Sequence, residues 1–364
     1  MSNVIYLTLP TSRQPLDQRL AGLIHCFAQE RRFGEDVFWF KENAELLSIL
    51  ECTGQSVDLG ALAPLEGFYA QVRDRMAFFP QYYRFLLSIT LDLEDLGMGR
   101  DTGAELVDWA AESGLAEVEF SDLQRAEARR LMQRRGRDPL AGDAGLNDRL
   151  RRFINRPETF ALPNKKAAYE LTHIVFYLSE YGRRDPGLDA PALKSLSFAG
   201  TLAYLDQNAD LLAEICIALR YAGQEPPVLW EEWIASEARG FSVTQGPHAQ
   251  VADHYHDYFV CNWLLAVRGD PVFANTPNFC RAQYTKPESW PGPLRAISEH
   301  LYGIGPMRSG DWHRMREALF DVLDERGQDI LQEGEANCVE FETFFDIFAR
   351  AEQVPVASHR AAAG

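Results

Sequence analysis

No segment of this 364-residue chain is long and apolar enough to cross a bilayer, which takes about 20 residues. The longest apolar runs, Ile174–Leu178 and Cys261–Val267 (broken by Asn262), fall far short of that. Positive charge is also scarce: 36 Lys and Arg stand against 53 Asp and Glu, a formal net charge of −17. That argues against nucleic-acid binding, which needs clustered basic groups to neutralise phosphates. The six cysteines (Cys26, Cys52, Cys216, Cys261, Cys280 and Cys338) are scattered with no CxxC pair. Reduced thiols in the cytoplasm are the simplest expectation, and a zinc-ribbon or thioredoxin-like site is not expected. The opening MSNVIYLTLPTSRQPL lacks a basic start followed by an apolar block, so no signal peptide is expected. Dinucleotide-binding, P-loop, nucleophile-elbow and kinase motifs are missing. Strand-like alternation is nearly missing too, with VIYLTL (Val4–Leu9) the one run of note.

Helical patterns fill the rest. They cover Leu16–Arg32, Val37–Cys52, Pro64–Ala77, Tyr82–Leu96, Gly103–Gly114 and Ser121–Arg135, then Pro293–Tyr302, Gly310–Glu325 and Cys338–Glu352. Gly54 reads as a C-terminal stop and Ser121-Asp122 as an N-cap entry. Hydrophobic residues make up 46% of the chain, enough for a sizeable core. The expected fold class is all-α and multi-helical. A weak echo among ELLSILECTG, FLLSITLDLEDLG and DLLAEICIALRYAG raises the alternative of α/α toroid-like helix pairs around a polar cavity. The breaker-rich GRDPLAGDAG divides an N-terminal helical half (1–135) from a C-terminal half (149–352), with 136–148 as linker or long loop and 353–364 as a flexible tail.

Three central segments are apolar almost all round yet carry narrow ionisable stripes: Ala167–Tyr181, Ala203–Tyr221 and Val251–Val267. Such helices are normally buried. Buried ionisable groups are costly unless paired, metal-bound or facing a wet cavity. The stripes are therefore expected to face one another. On the first, Glu170, His173, Tyr177 and Glu180 share a face. On the second, Asp206, Asp210 and Glu214 recur every four residues, and a like-charged pair one turn apart invites a cation. On the third, Asp253, His256 and Asp257 share a face. His173, Glu214 and His256 are the candidate catalytic residues, as acid/base groups or ligands. His173, Asp210, Glu214, His256 and Asp257 form the candidate ligand set for a metal, iron or zinc, since imidazole and carboxylate oxygen suit both. No ExxH or HExxH spacing supports the metal in the third segment. A satisfied structural network is the competing reading at each position.

The Pro-rich stretch Arg268–Pro293 is expected to be an ordered, loop-rich flap or strap. Arg281 and Tyr284 within it, with Tyr177, are the candidate substrate-binding residues. Ten arginines between Arg125 and Arg156 are read as either a solvated face or an anion clamp. Asp92, Glu94 and Asp95 sit near a helix C-terminus, where the macrodipole disfavours acids; surface charge or a functional carboxylate are both open.

The stretches VFWFKENAELLSILECTG and YYRFLLSITLDLEDLGM resemble an uncharacterised bacterial family of unknown function. Separately, ELTHIVFYLSEYG, DLLAEICIALRYAG and DHYHDYFVCNWLLA are similar to a broader set of helical proteins with ordered LTH, DLLAE and YH motifs, associated with biosynthetic gene clusters. That pattern falls on Thr172, His173, Glu180, Gly182, Asp210, Glu214, Tyr255 and His256. Ser179-Glu180-Tyr181 stands where the set often has Thr-Asp-Phe, and Asp257-Tyr258 replace two small hydroxyl residues. The resemblance implies a His173/Glu214/His256 cluster and names no reaction. The expected function is an enzyme, with a metal as one option, acting on a small metabolite. The alternative is a non-catalytic binding or protein-interaction module with a structural polar cluster.

Overall fold

The computed structural model describes residues 13–32, 36–99, 101–288 and 290–351. The strand-like run Val4–Leu9 and the tail 353–364 lie outside the described residues. The first half contains helices α1 (Leu16–His25), α2 (Val37–Cys52), α3 (Leu59–Leu62), α4 (Glu66–Phe78), α5 (Tyr83–Leu93), α6 (Thr102–Glu112) and α7 (Asp122–Gln133). Then come α8 (Leu146–Ile154), α9 (Pro157–Phe160), α10 (Lys165–Leu178), α11 (Ala190–Leu205), α12 (Ala209–Tyr221) and α13 (Val228–Gly240). Strand β1 (Ser242–Gln245), helix α14 (Tyr255–Arg268) and strand β2 (Ala282–Thr285) precede α15 (Leu294–Gly303), α16 (Trp312–Asp321), α17 (Glu325–Asn337) and α18 (Phe341–Ala349). The protein is all-α apart from one antiparallel two-stranded ribbon in which Ser242 faces Thr285 and Gln245 faces Ala282.

Local chemistry explains where the helices start and stop. Asp36 accepts hydrogen bonds from the amides of Phe38 and Trp39 and opens α2. Gly54, at φ +65°, follows the end of α2 in the left-handed region that a stop requires. Ser121 and Gln124 form a reciprocal capping box at α7, the entry that Ser121-Asp122 signals in the sequence. Asn164 and Asn208 cap α10 and α12 through their side-chain oxygens.

Helix α12 is the innermost element. Every residue from Ala209 to Leu219 is buried, because α10, α11, α13 and α14 pack around it. The near-uniform apolar composition of α12 is the cause: no face of it gains from meeting water. Helices α2 and α14 touch, as do α7 and α10, so the core runs unbroken through both halves of the chain.

Three expectations need correction. The stretch 203–221 is not one helix. The chain breaks at Asp206–Asn208, where Gln207 takes φ +51° and Asn208 recaps the chain, so Asp206 leaves the stripe and pairs with Lys165 at 2.9 Å. Helix α14 begins at Tyr255, which puts Asp253 in the turn before it. The stretch from 268 is ordered and held down as a strap would be, but it is not all loop, since it contains β2. Arg19 donates to the carbonyls of Val272 and Phe273 at 2.8 and 2.7 Å, Tyr258 to that of Asn275 at 2.7 Å, and the Phe273 amide to Asn262 at 2.6 Å.

Asp92 lies in the last turn of α5, and Glu94 and Asp95 follow it in a wider helical turn, Glu94–Met98. Arginines from α7 and its C-terminal end answer them. Arg134 meets Asp92 and Asp95 at 2.7 Å, and Arg135 meets Glu94 and Asp95 at 2.9 Å. Glu94 also accepts from the Tyr69 hydroxyl and the Gly103 amide. These acids fasten α5 to α7, which accounts for their place at a helix end.

Two outcomes follow from this packing. A Cβ at Gly200 on α11 would stand 2.3 Å from the buried Trp230 ring, so Gly200→Ala is expected to destabilise by roughly 1–3 kcal/mol in urea unfolding. Helix propensity alone would favour Ala by ~1 kcal/mol, so a stabilised variant would contradict this contact. Burial works to raise the Asp95 carboxyl, but Arg134 and Arg135 outweigh it and hold it below the usual carboxylate range. A depressed folded value means stability that is present above the unfolded carboxyl pKa of about 3.9 and lost as pH falls below it. Asp95→Asn is expected to lower stability at pH 7 and to match the wild type near pH 2; an equal deficit at both would show that Asp95 acts through packing.

Candidate functional site

Four helices meet at one polar cluster. Helix α10 contributes Tyr169, Thr172 and His173, α12 contributes Asp210 and Glu214, α14 contributes His256, and α2 contributes Glu45. The first turn of α12 holds Asp210, where the helix dipole favours an acid, and Glu214 follows one turn deeper. His256 lies between two carboxylates: its Nδ1 is 2.6 Å from Glu45 and its Nε2 is 3.3 Å from Asp210. The Tyr169 hydroxyl donates to Asp210 at 2.5 Å, and that of Thr172 donates to Glu214 at 2.5 Å. His173 Nδ1 donates to the Tyr169 carbonyl at 2.8 Å and stands 3.6 Å from Glu214. One donor atom each from Asp210, Glu214 and His256 lie within 4.8 Å of one another.

The environment separates the two acids. Burial raises Glu214, with Asp210 adding to it; the nearby His173 and the Thr172 hydrogen bond oppose this without cancelling it. Burial would raise Asp210 as well, but the hydrogen bond and charge of His256 and the Tyr169 hydroxyl outweigh it and lower this carboxyl. Burial would lower His256, but Glu45 and Asp210 push its imidazole up to about 11. Neighbouring carboxyls shifted in opposite directions are what acid/base and metal sites share. The side chains of His173 and His256 are each 37% exposed, whereas Glu214 is 3% exposed. The cluster therefore opens to solvent at its two histidines and closes at its acids.

Of the residues selected from the sequence, the fold brings together His173, Asp210, Glu214 and His256. Asp257 is not among the groups within ligand distance of one another; it pairs with Lys286, whose charge also reaches Asp210, and, at 3.5 Å, with His254. Tyr284 is fully buried, its ring 4.8 Å from that of Tyr258 and 5.7 Å from that of Phe27. Arg281 lies beside β2, where its carbonyl accepts from the Gly246 amide. Tyr177 lines a different cavity, between α7 and α8. Asp253 belongs to another network: with Glu42 it holds the buried Arg31, at 2.9 and 3.1 Å, while Arg31 also donates to the Ala282 carbonyl at 2.7 Å.

Sequence reasoning missed Glu45 and Tyr169. Glu45 lies 211 positions from His256, beyond any local pattern. A signal did exist: α2 is apolar almost all round and carries Glu42, Asn43 and Glu45, so the argument applied to the three central segments extends to it. Tyr169 stands one residue before Glu170 and passes for an aromatic core position.

Thr172 supplies the one side-chain hydrogen bond to Glu214 among the described residues. Thr172→Val leaves that buried carboxyl without a donor and is expected to cost about 1–3 kcal/mol in chemical unfolding, with Thr172→Ser restoring most of it. A Val variant within about 0.5 kcal/mol of wild type would show that Glu214 is satisfied by other means.

Among the described residues no helix is long and apolar enough to cross a membrane. No curated protein and no solved structure matches the chain. A family model described as a domain of unknown function, DUF6902, matches residues 1–351. The chain belongs to the DUF6902 family.

Proposed function

We propose that this protein is an enzyme that binds a divalent metal, iron or zinc, through Asp210, Glu214 and His256, and acts on a small metabolite. One observation carries the reading. Two buried carboxylates and an imidazole from different turns and helices bring one donor atom each within 4.8 Å of one another, and Asp210 Oδ1 is buried without a well-directed hydrogen bond. Donors about 2.0–2.1 Å from zinc stand roughly 3.3 Å apart in a tetrahedral site, the spacing of a pre-arranged ligand pair. The Asp210–His256 separation is 3.3 Å.

Each remaining residue then has a role. Glu45 accepts the Nδ1 proton of His256 and fixes the ring, so that Nε2, once deprotonated, would be the atom to hold a metal. A metal held there would have to replace the proton on His256 Nε2, so its affinity would rise with pH. A metal held by these three residues would keep positions for water and substrate, and the chemistry it would supply is a lowered pKa of that water. His173 stands at the open edge, placed to move a proton to or from a bound substrate. The free thiols of all six cysteines suit a reducing compartment such as the cytoplasm. The similarity to proteins associated with biosynthetic gene clusters agrees with a small-metabolite substrate.

A second reading has its own observation in favour. Both ring nitrogens of His256 are already engaged, so the cluster also works as a structural tie in a non-catalytic binding or interaction module. Elemental analysis of untagged protein separates the two. The metal reading predicts about one equivalent of iron or zinc per chain, lost in Asp210→Asn and Glu214→Gln, and a 10–100-fold weaker affinity in Glu45→Gln. Wild-type protein that takes up neither metal after dialysis, while the same variants are strongly destabilised, supports the structural tie and contradicts the enzyme.

A further inference from the structure

The ten arginines of 125–156 meet different fates. Arg129 pairs with Asp138 at 2.6 Å and Arg149 with Asp122 and Asp143 at 2.8 and 2.6 Å. Arg134 and Arg135 hold the acids after α5, and Arg137 meets Asp108 at 2.5 Å. Arg152 and Arg156 are exposed to water. Arg130 is the exception. It is 8% exposed, its Nε is buried with no hydrogen-bond partner, and no carboxylate among the described residues lies within ion-pair distance of it, although its charge reaches the buried Asp92. Its guanidinium lies 4.2 Å above the Tyr181 ring. A ring face offsets only part of the desolvation of a buried cation and leaves its in-plane donors unmet.

Those donors border a cavity of about 130 Å³ between α7, α8 and the turn after α10. Arg129, Arg130 and Gln133 line it from α7, Asn147 from α8, and Tyr177 and Arg184 from the far wall; no acid lines it. At ~30 Å³ per water, the space holds about four waters or one small polyatomic ion. The turn that forms the far wall is conformationally costly: Glu180 and Tyr181 take φ +50° and +56°, followed by Gly182 at +84°. That turn sets Tyr181 beneath Arg130 and brings Arg184 to the cavity.

We infer that this cavity is a binding site for a small tetrahedral oxyanion, a free phosphate or the phosphoryl group of a monoester, with Arg130 as its central charge. A lone planar carboxylate would be met by one guanidinium edge. Donor residues on three walls suit an ion with oxygens in every direction; Arg129 and Gln133 also hold Asp138 and Arg184 also holds Glu180, which leaves Arg130 as the uncommitted charge. The site is separate from the Asp210–Glu214–His256 cluster and does not rest on its metal reading.

Isothermal titration of the full chain at fixed ionic strength tests it, with inorganic phosphate, glycerol 3-phosphate and acetate as probes and chloride as background. Saturable binding of phosphate or of glycerol 3-phosphate, with acetate at least tenfold weaker, is expected; the tighter of the two phosphoryl probes tells the free ion from the ester. Arg130→Met should weaken that binding at least tenfold; because the Arg130 charge also acts on the buried Asp92, its melting point without ligand is measured alongside to separate lost binding from lost folding. Asn147→Asp, at an exposed position on the rim, should also weaken it by opposing charge, and it carries the test should Arg130→Met not fold. No saturable phosphoryl binding, acetate as good as phosphate, or unchanged affinity in both variants would overturn the assignment.

Discussion

The contact of His256 with Glu45 on one side and Asp210 on the other joins three helices that are remote in sequence. Helix α12 is apolar enough to be surrounded on all sides, yet it carries Asp210 and Glu214 into the interior. An isolated buried carboxylate is too costly to keep ionised, so the fold must answer each acid with a donor. Tyr169 and His256 answer Asp210; Thr172 answers Glu214. The way α2, α10 and α14 are placed around α12 follows from that requirement as much as from apolar packing. The same rule governs the Arg31 network nearby, where Glu42, Asp253 and two carbonyls satisfy one fully buried guanidinium.

Helix α10 links two polar regions of different character. Its middle holds Tyr169, Thr172 and His173 against the acids of α12. Its C-terminal end, with Tyr177 and the left-handed turn at Glu180–Gly182, forms one wall of the arginine-lined cavity. One region gathers negative charge and the other positive. The two regions lie about one helical turn apart along α10, since His173 and Tyr177 are four residues apart.

Much of the fold was legible because it rests on local chemistry. Apolar periodicity marks the helices, Ser121 and Gly54 mark ends, and the three striped segments do face one another at His173, Glu214 and His256. What was not legible depends on contacts between distant residues. Glu45 reads as an ordinary polar position until α2 is laid against α14. Arg130 reads as one more charge in a solvated block until α10 covers it. Asp257 shares a helical face with His256 in the sequence pattern, but it pairs with Lys286 from the β2 strap instead. Tyr284 alternates inward on a strand that sequence alone does not reveal, and so enters the aromatic core rather than the site. Asp206 was assigned to the α12 stripe because the break at Gln207 needs no glycine or proline.

The central claim is that Asp210, Glu214 and His256 are one ligand set. X-ray absorption at the iron and zinc edges, on untagged protein purified without chelator, tests it most directly. The account predicts a first shell of oxygen and nitrogen at about 2.0–2.2 Å with no sulfur, and with the outer-shell scattering of a single imidazole that disappears in His256→Ala. A shell containing sulfur, or one whose imidazole signal survives the loss of His256, would contradict it.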